Sequence, residues 1–218
     1  MNDQKLIEKT ADFIKNKFAR EGTGHDWWHI YRVWQLSKYI AVKEKGANML
    51  VVELASLLHD IEDHKLHDGS SEPGAVAARA WLKSLGADEQ TIAHVENIVR
   101  NISFKSADIK NELNTLEGQI VHDADKIDAI GAIGIARTFS FGGAHGRLIY
   151  DPDQPHLKHY TYELSRAENT PVIHHFYEKL LLLQDRMFTK TGKQMARHRH
   201  VYMEKFLKEF YAEWEGKI

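Results

Sequence analysis

The sequence predicts an all-α protein, a single-domain helical bundle. Three observations carry that class. Apolar residues recur at three- and four-residue spacing along most of the chain, no segment shows strong two-residue strand alternation, and only 4 prolines interrupt 218 residues. A chain of this length is one to one and a half typical domains and buries roughly 70% of its unfolded surface. The composition, 43% apolar and 28% charged, excludes long disorder and low-complexity architecture.

The first helix carries Leu6, Ile7, Ala11, Phe13, Ile14 and Phe18 on one face, and the pair Gly22 and Gly24 ends it. The second runs from about Asp26 to Lys45 on a stripe of Ile30, Val33, Leu36 and Ile40, with Gly46 as its stop signal. Residues Met49 to Ile61 are apolar nearly all round, which predicts a buried central helix. Asp63 to Gly74 is a polar loop, followed by a helix from about Pro73 to Leu85. Asp88 caps another helix bearing Ile92, Val95, Ile98, Val99 and Ile102. After a polar stretch from Ser103 to Asn114, the period predicts one long helix from about Leu116 to Phe139. Gly142 to Asn169 lacks a clear period, and its Arg, His and Tyr content points to an active-site cover. Thr170-Pro171 opens a helix carrying Ile173, Phe176, Tyr177, Leu180, Leu181 and Leu183, and a last helix runs from about Lys193 to Glu215. The count is seven to nine helices with no repeat and no domain linker.

Several function classes fall away. With 29 Lys and Arg against 31 Asp and Glu, the net charge of -2 gives no reason to expect a nucleic-acid or acidic-membrane partner. The five Trp mostly sit at helical spacing, as core residues would. The absence of Cys excludes disulfides, thiolate zinc sites, iron–sulfur clusters and a cysteine nucleophile. Met1 to Lys5 shows no secretory signal and no apolar run reaches about 18 residues, so a cytoplasmic location is expected. Fourteen His are the unusual feature.

Three segments concentrate chemistry: His25-Asp26-Trp27-Trp28-His29-Ile30-Tyr31-Arg32-Val33, Leu57-Leu58-His59-Asp60-Ile61-Glu62-Asp63 and His122-Asp123-Ala124-Asp125-Lys126-Ile127-Asp128. His29 shares the stripe of Val33, Leu36 and Ile40. His59 and Asp60 close the apolar run, and Asp125 lies in line with Ala129, Ala132 and Ala136. Buried carboxylates are costly unless paired, hydrogen-bonded or bound to metal. One such segment reads best as a hydrogen-bonded core; three in one helical domain point to a divalent-metal site. Its mixed donors suit Mn, Fe, Ni or Zn, with Mg less favoured.

The ordered set resembles the HD-domain metal-dependent phosphohydrolases: His29 followed by Arg32-Val33, then Leu57-Leu58-His59-Asp60, then Ala124-Asp125-Lys126-Ile127-Asp128. The likeness covers about residues 24–140, the metal-binding core of a single domain spanning 1–218, on which helices of about 170–216 pack. It implies His29, His59, Asp60 and Asp125 as ligands of one divalent ion. A closer likeness covers nearly the whole chain. Gly22-Thr23-Gly24-His25-Asp26-Trp27, Ile102-Ser103-Phe104-Lys105, Asp123 to Arg137, Tyr150-Asp151-Pro152 and the helix around Ala196 to His200 are similar to a bacterial subfamily. That subfamily includes manganese-dependent nucleoside-triphosphate pyrophosphohydrolases. The implied reaction is hydrolysis of (deoxy)nucleoside triphosphates to monophosphate and pyrophosphate, with Mn as cofactor and Ni, Co, Fe, Zn or Mg as alternatives. A 5'-nucleotidase or alarmone hydrolase of the same superfamily, or a nucleotide-binding regulatory module, is the alternative. The partner is a small-molecule nucleotide, with no nucleic acid or membrane, and the chain is a monomer or homodimer.

Phosphoryl transfer needs cations around the non-bridging oxygens. Lys65, Lys105 and Arg32 are the substrate-binding candidates, Arg32 alternatively pairing with Asp60 or Asp128 and either Lys being alternatively solvated. Arg137 lies about three turns, roughly 18 Å, from Asp125 on a straight helix, too far for all but an extended substrate. Glu62 and Asp63 are the catalytic acids, placed to orient water or protonate a leaving group. In the related alarmone hydrolases two residues separate the His-Asp pair from an acidic pair, whereas only Ile61 intervenes here; Asp63 is favoured by the subfamily's Asp-x-Lys pattern. Asp128 and His25 are candidates to support the ligands from behind.

Overall fold

The computed structural model describes residues 2–19, 26–62, 72–102, 113–154 and 170–218. Among the described residues every regular element is helical. The chain divides into two compact units, Met1–Ala124 and Asp125–Ile218. No described helix is long and apolar enough to cross a membrane.

The first unit is built around one helix that water barely reaches. Helices α1 (Asp3–Lys17), α2 (Trp27–Glu44), α3 (Met49–Leu58), α4 (Glu72–Ser84) and α5 (Glu89–Ile102) follow in order. Of these, α3 packs against α1, α2 and α5. Its Val51, Val52, Leu54, Ala55, Leu57 and Leu58 are all buried, so the apolar run forms the helix that the sequence predicts. Its start is set by Asn48, whose side chain accepts the Val51 N–H. The same device starts α2, where Asp26 accepts the His29 N–H at 2.8 Å, and α5, where Asp88 accepts the Thr91 N–H at 2.9 Å. Helix α2 ends at Lys45 (φ 61) and Gly46 (φ 84), the predicted stop. Phe13 stacks on Trp81 with ring centroids 3.9 Å apart, and the Trp81 indole donates to Thr10 Oγ1 at 3.0 Å. Arg79 donates to Glu89 and Glu96, and Arg100 to Glu72 and Glu96, lacing α4 to α5.

The predicted long helix over Leu116–Phe139 is in fact two. Helix α6 covers Leu116–Asp128, with the boundary between the units inside it, and α7 covers Gly131–Ala144. The chain leaves the helix at Ala129–Ile130 because Gly131 adopts a left-handed φ of 79°. The Arg199 stem fills the space a side chain would need, its Cγ 2.9 Å from an ideal Cβ on Gly131. Arg199 Nη1 then donates to the Ile127 carbonyl at 2.5 Å, satisfying a group that the end of α6 leaves open. The predicted small-residue face therefore does not form: Ala132 and Ala136 are exposed on α7.

In the second unit the predicted helix after Thr170-Pro171 is short, α8 (His174–Glu178), and gives way to a 3-10 segment, Leu180–Arg186. Three residues per turn put Leu180 and Leu183 on one buried face and turn Leu182 outward. Thr189 caps α9 (Lys190–Trp214), accepting the Gly192 N–H at 2.9 Å. Phe206 of α9 stacks on the buried Phe176 and meets Phe139 of α7 edge-on. Tyr150 sets its edge against Phe210, Tyr211 and Trp214. The segment 155–169, most of the predicted cover, lies outside the described residues.

Candidate metal centre

Helix α3 delivers its last side chains from a dry interior. His59 is its C-terminal cap residue, with Asp60 next. Ser56 Oγ donates to the Val52 carbonyl at 2.8 Å, leaving the Ser56 carbonyl to accept from His59 Nδ1, also at 2.8 Å. That bond places the His59 proton on Nδ1 and leaves Nε2 as the lone-pair nitrogen. On α2, the Asp26 cap holds the first turn that carries His29, whose ring is 1% exposed.

The two rings and the carboxylate converge on one point. His59 Nε2 lies 3.3 Å from His29 Nε2, and Asp60 Oδ2 lies 3.5 Å from His29 Nε2 and 3.4 Å from His59 Nε2. Two ligands about 2.1 Å from a common ion are about 3.0 Å apart at a right angle and about 3.4 Å apart at the tetrahedral angle. The triangle of 3.3–3.5 Å edges thus has the size of three ligand atoms on one side of a divalent ion, and the donors fit the group. His29, His59 and Asp125 are of the residue types that hold such an ion. The C-terminal end of α3, where backbone carbonyls accumulate negative potential, further favours a cation there.

The remaining predicted residues divide. Asp125 sits on α6 and accepts Lys126 Nζ at 2.7 Å on Oδ2. Arg32 is half-buried on α2, one turn beyond His29. Glu62 forms an ion pair with Lys17 of α1 at 2.5 Å, a partner that sequence spacing does not reveal. Asp63, Lys65, Lys105 and His25 lie outside the described residues. Arg137 pairs with Asp128 at 2.7 Å, the Asp128 side chain being 1% exposed. The break between α6 and α7 accounts for that pair, since a straight helix holds positions nine residues apart well beyond contact.

Helix α6 is the element whose polar residues sequence reasoning undervalued. His122, Asp123, Lys126 and Asp128 are all buried, with His122 Nδ1 3.3 Å from Asp123 Oδ1. These four residues are therefore not a solvated face. The Ser56 carbonyl that orients His59 was also missed; its one signal is the three-residue spacing, which is shared by many unrelated pairs.

Comparison with known proteins identifies the family. The HD domain profile matches residues 27–130, a span that contains all four candidate ligands. The chain is 34% identical over 217 residues to the uncharacterised protein YpgQ of Bacillus subtilis strain 168, covering 99% of this chain and 97% of that one. It superposes with a TM-score of 0.77 on an HD-superfamily hydrolase from Bacillus thuringiensis, at 42% identity over 98% of this chain and 99% of that one. YpgQ solved in complex with ADP gives a TM-score of 0.72 at 31% identity, covering 95% and 97% of the two chains. Motif order, ligand geometry and full-length similarity agree that this chain belongs to the HD-domain superfamily.

Proposed function

We propose that the protein is a metal-dependent phosphohydrolase that cleaves (deoxy)nucleoside triphosphates to the monophosphate and pyrophosphate. In this reading His29, His59, Asp60 and Asp125 hold one divalent ion, manganese first among the candidates. The observation that carries the reading is the ligand-sized triangle of His29, His59 and Asp60 at the end of a buried helix. The ADP complex of YpgQ supports a nucleotide as the ligand.

A divalent ion in this site supplies positive charge that polarises a phosphoryl group and acidifies water. The chain's own groups do the rest. His29 and His59 enter as neutral rings, and the Ser56 carbonyl keeps His59 in the required tautomer. Arg32, Lys65 and Lys105 neutralise the non-bridging oxygens and hold the phosphate chain in line. Asp63 takes the proton of the attacking water; Glu62 takes that role only by giving up Lys17. Attack at the α-phosphorus forms one P–O bond, breaks the α–β bridge and releases pyrophosphate.

The test is turnover by metal-stripped protein resupplied with Mn, Mg, Co, Ni or Zn, with nucleoside mono-, di- and triphosphates and a guanosine 3'-pyrophosphate as substrates. Metal-dependent release of pyrophosphate and monophosphate, lost in Asp60→Ala, is the expected result. Orthophosphate with nucleoside assigns a 5'-nucleotidase instead, and pyrophosphate from a 3'-position assigns an alarmone hydrolase. Metal-dependent nucleotide binding without turnover overturns the enzymatic reading in favour of a regulatory module.

A further inference from the structure

We infer that Trp28 and Tyr31, on the solvent side of α2, form the platform on which the base of the bound nucleotide stacks. The inference rests on the nucleotide phosphohydrolase reading and deepens it, because it makes an aromatic base part of what the site recognises.

Sequence spacing places the tryptophans in the core, and α2 overturns that for the residue beside the first metal ligand. Trp28 is 60% exposed and Tyr31 39% exposed. Large aromatic side chains each carry roughly 150–250 Å² of surface, so this adjacent pair offers water a sizeable flat apolar face. The rings form a continuous array: Trp27 and Trp28 each lie 5.9 Å from Tyr31, and Tyr31 lies 6.2 Å from Trp34.

Among the described residues the array is engaged at one end. Trp34 donates its indole N–H to Glu53 at 2.9 Å, and Lys38 Nζ sits 5.2 Å from its ring centroid while also pairing with Glu53 at 3.7 Å. That end is engaged in holding α2 to α3. Exposure rises toward the other end, from half-buried Trp34 through Tyr31 to Trp28. That exposed end is the one beside the metal ligand. Trp28 precedes His29 by one residue, a shift of 1.5 Å along the helix axis and 100° around it. Trp28 and His29 stand four and three residues before Arg32, so all three share one turn of helix. A nucleotide whose phosphates meet His29 and Arg32 reaches the Trp28 ring at the same level of α2. Stacking uses the face of the base, which every base has, so the platform favours nucleotides over bare polyphosphate without choosing strongly among bases.

The test compares ADP with inorganic tripolyphosphate, titrated calorimetrically into the manganese-loaded full chain. Wild type, Trp28→Leu and Trp28→Phe are measured, each first checked for helicity and sedimentation. Wild type is expected to bind ADP more tightly than its phosphate groups alone explain. The ratio of the tripolyphosphate Kd to the ADP Kd is expected to fall at least about fivefold in Trp28→Leu and to recover in Trp28→Phe, which keeps a ring. An unchanged ratio in Trp28→Leu with ADP still bound overturns this inference and leaves the nucleotide reading standing. An unchanged ratio with a halved sedimenting mass also overturns it, assigning the patch to a second copy of the chain. Wild-type protein that binds neither probe with Mn, Mg or Co overturns the nucleotide reading itself, and this inference with it.

Discussion

Two imidazole nitrogens and a carboxylate oxygen held 3.3–3.5 Å apart, with the rings nearly dry, need positive charge among them. The Ser56 carbonyl accepts a hydrogen bond from His59 Nδ1–H, so Nε2 of that ring has a lone pair to offer. Changing residues that only orient ligands costs 10- to 100-fold in metal affinity, so His59→Ala is expected to lose at least about 100-fold, read by calorimetric titration of Mn. In the proposed reading, folding is linked to the same ion. Metal at about 100 times its Kd raises unfolding free energy by about 2.7 kcal/mol, expected in wild type and absent in Asp60→Ala by urea denaturation. At this scale the convergence of His29, His59 and Asp60 was legible because each sits at a marked place in an apolar pattern. The Lys17 partner of Glu62 was not, because 45 residues separate the two.

At the scale of elements, the turn between α6 and α7 decides the most. A glycine at φ 79° with the Arg199 stem in its Cβ space tolerates no side chain. Gly131→Ala is expected to lower stability by about 1–3 kcal/mol, seen as a reduced urea midpoint. Gly143, near the end of α7, has nothing within 4 Å of an added Cβ. Gly143→Ala is expected to raise stability by about 0.4–1 kcal/mol in the same assay. Opposite signs at two glycines that look alike in sequence test the account of the break. The starts of α2, α3 and α5 were readable because capping is local: Asp26, Asn48 and Asp88 each reach an N–H three residues on. The break was not, because a glycine in a helical pattern does not announce a left-handed φ, and the Arg199 stem that packs against Gly131 comes from α9.

At the scale of the whole molecule, the network on α4 and α5 contributes to the loss of stability in acid. Arg100 holds the Glu72 carboxyl below its usual 4.5, Arg79 does the same for Glu96, and the Thr91 N–H and hydroxyl lower Asp88 from 3.8. Above about pH 5 these groups are ionised in both folded and unfolded chains, and their stabilisation is fully present. As pH falls below 4.5 the unfolded chain takes up protons first, so stability is lost until the folded carboxyls also titrate. Thermal melts are expected to be flat in this respect from pH 7 to about 5 and to fall below 4.5. Arg100→Gln flattens that acid limb, and an unchanged limb refutes the assignment.

Fold class, the buried run of α3 and the order His29, His59-Asp60, Asp125 followed from the chain alone. Each depends on periodicity, on local capping, or on the cost of burying charge without a partner. The HD-domain likeness lay in that order of residues and needed no coordinates. Folding decided which lone pair of His59 is presented, that Glu62 is held by Lys17, that Arg137 meets Asp128, and that Trp28 stands in water. Such pairings and exposures depend on where distant segments of chain are brought together, and a linear pattern carries the period of a helix but not the identity of its neighbour.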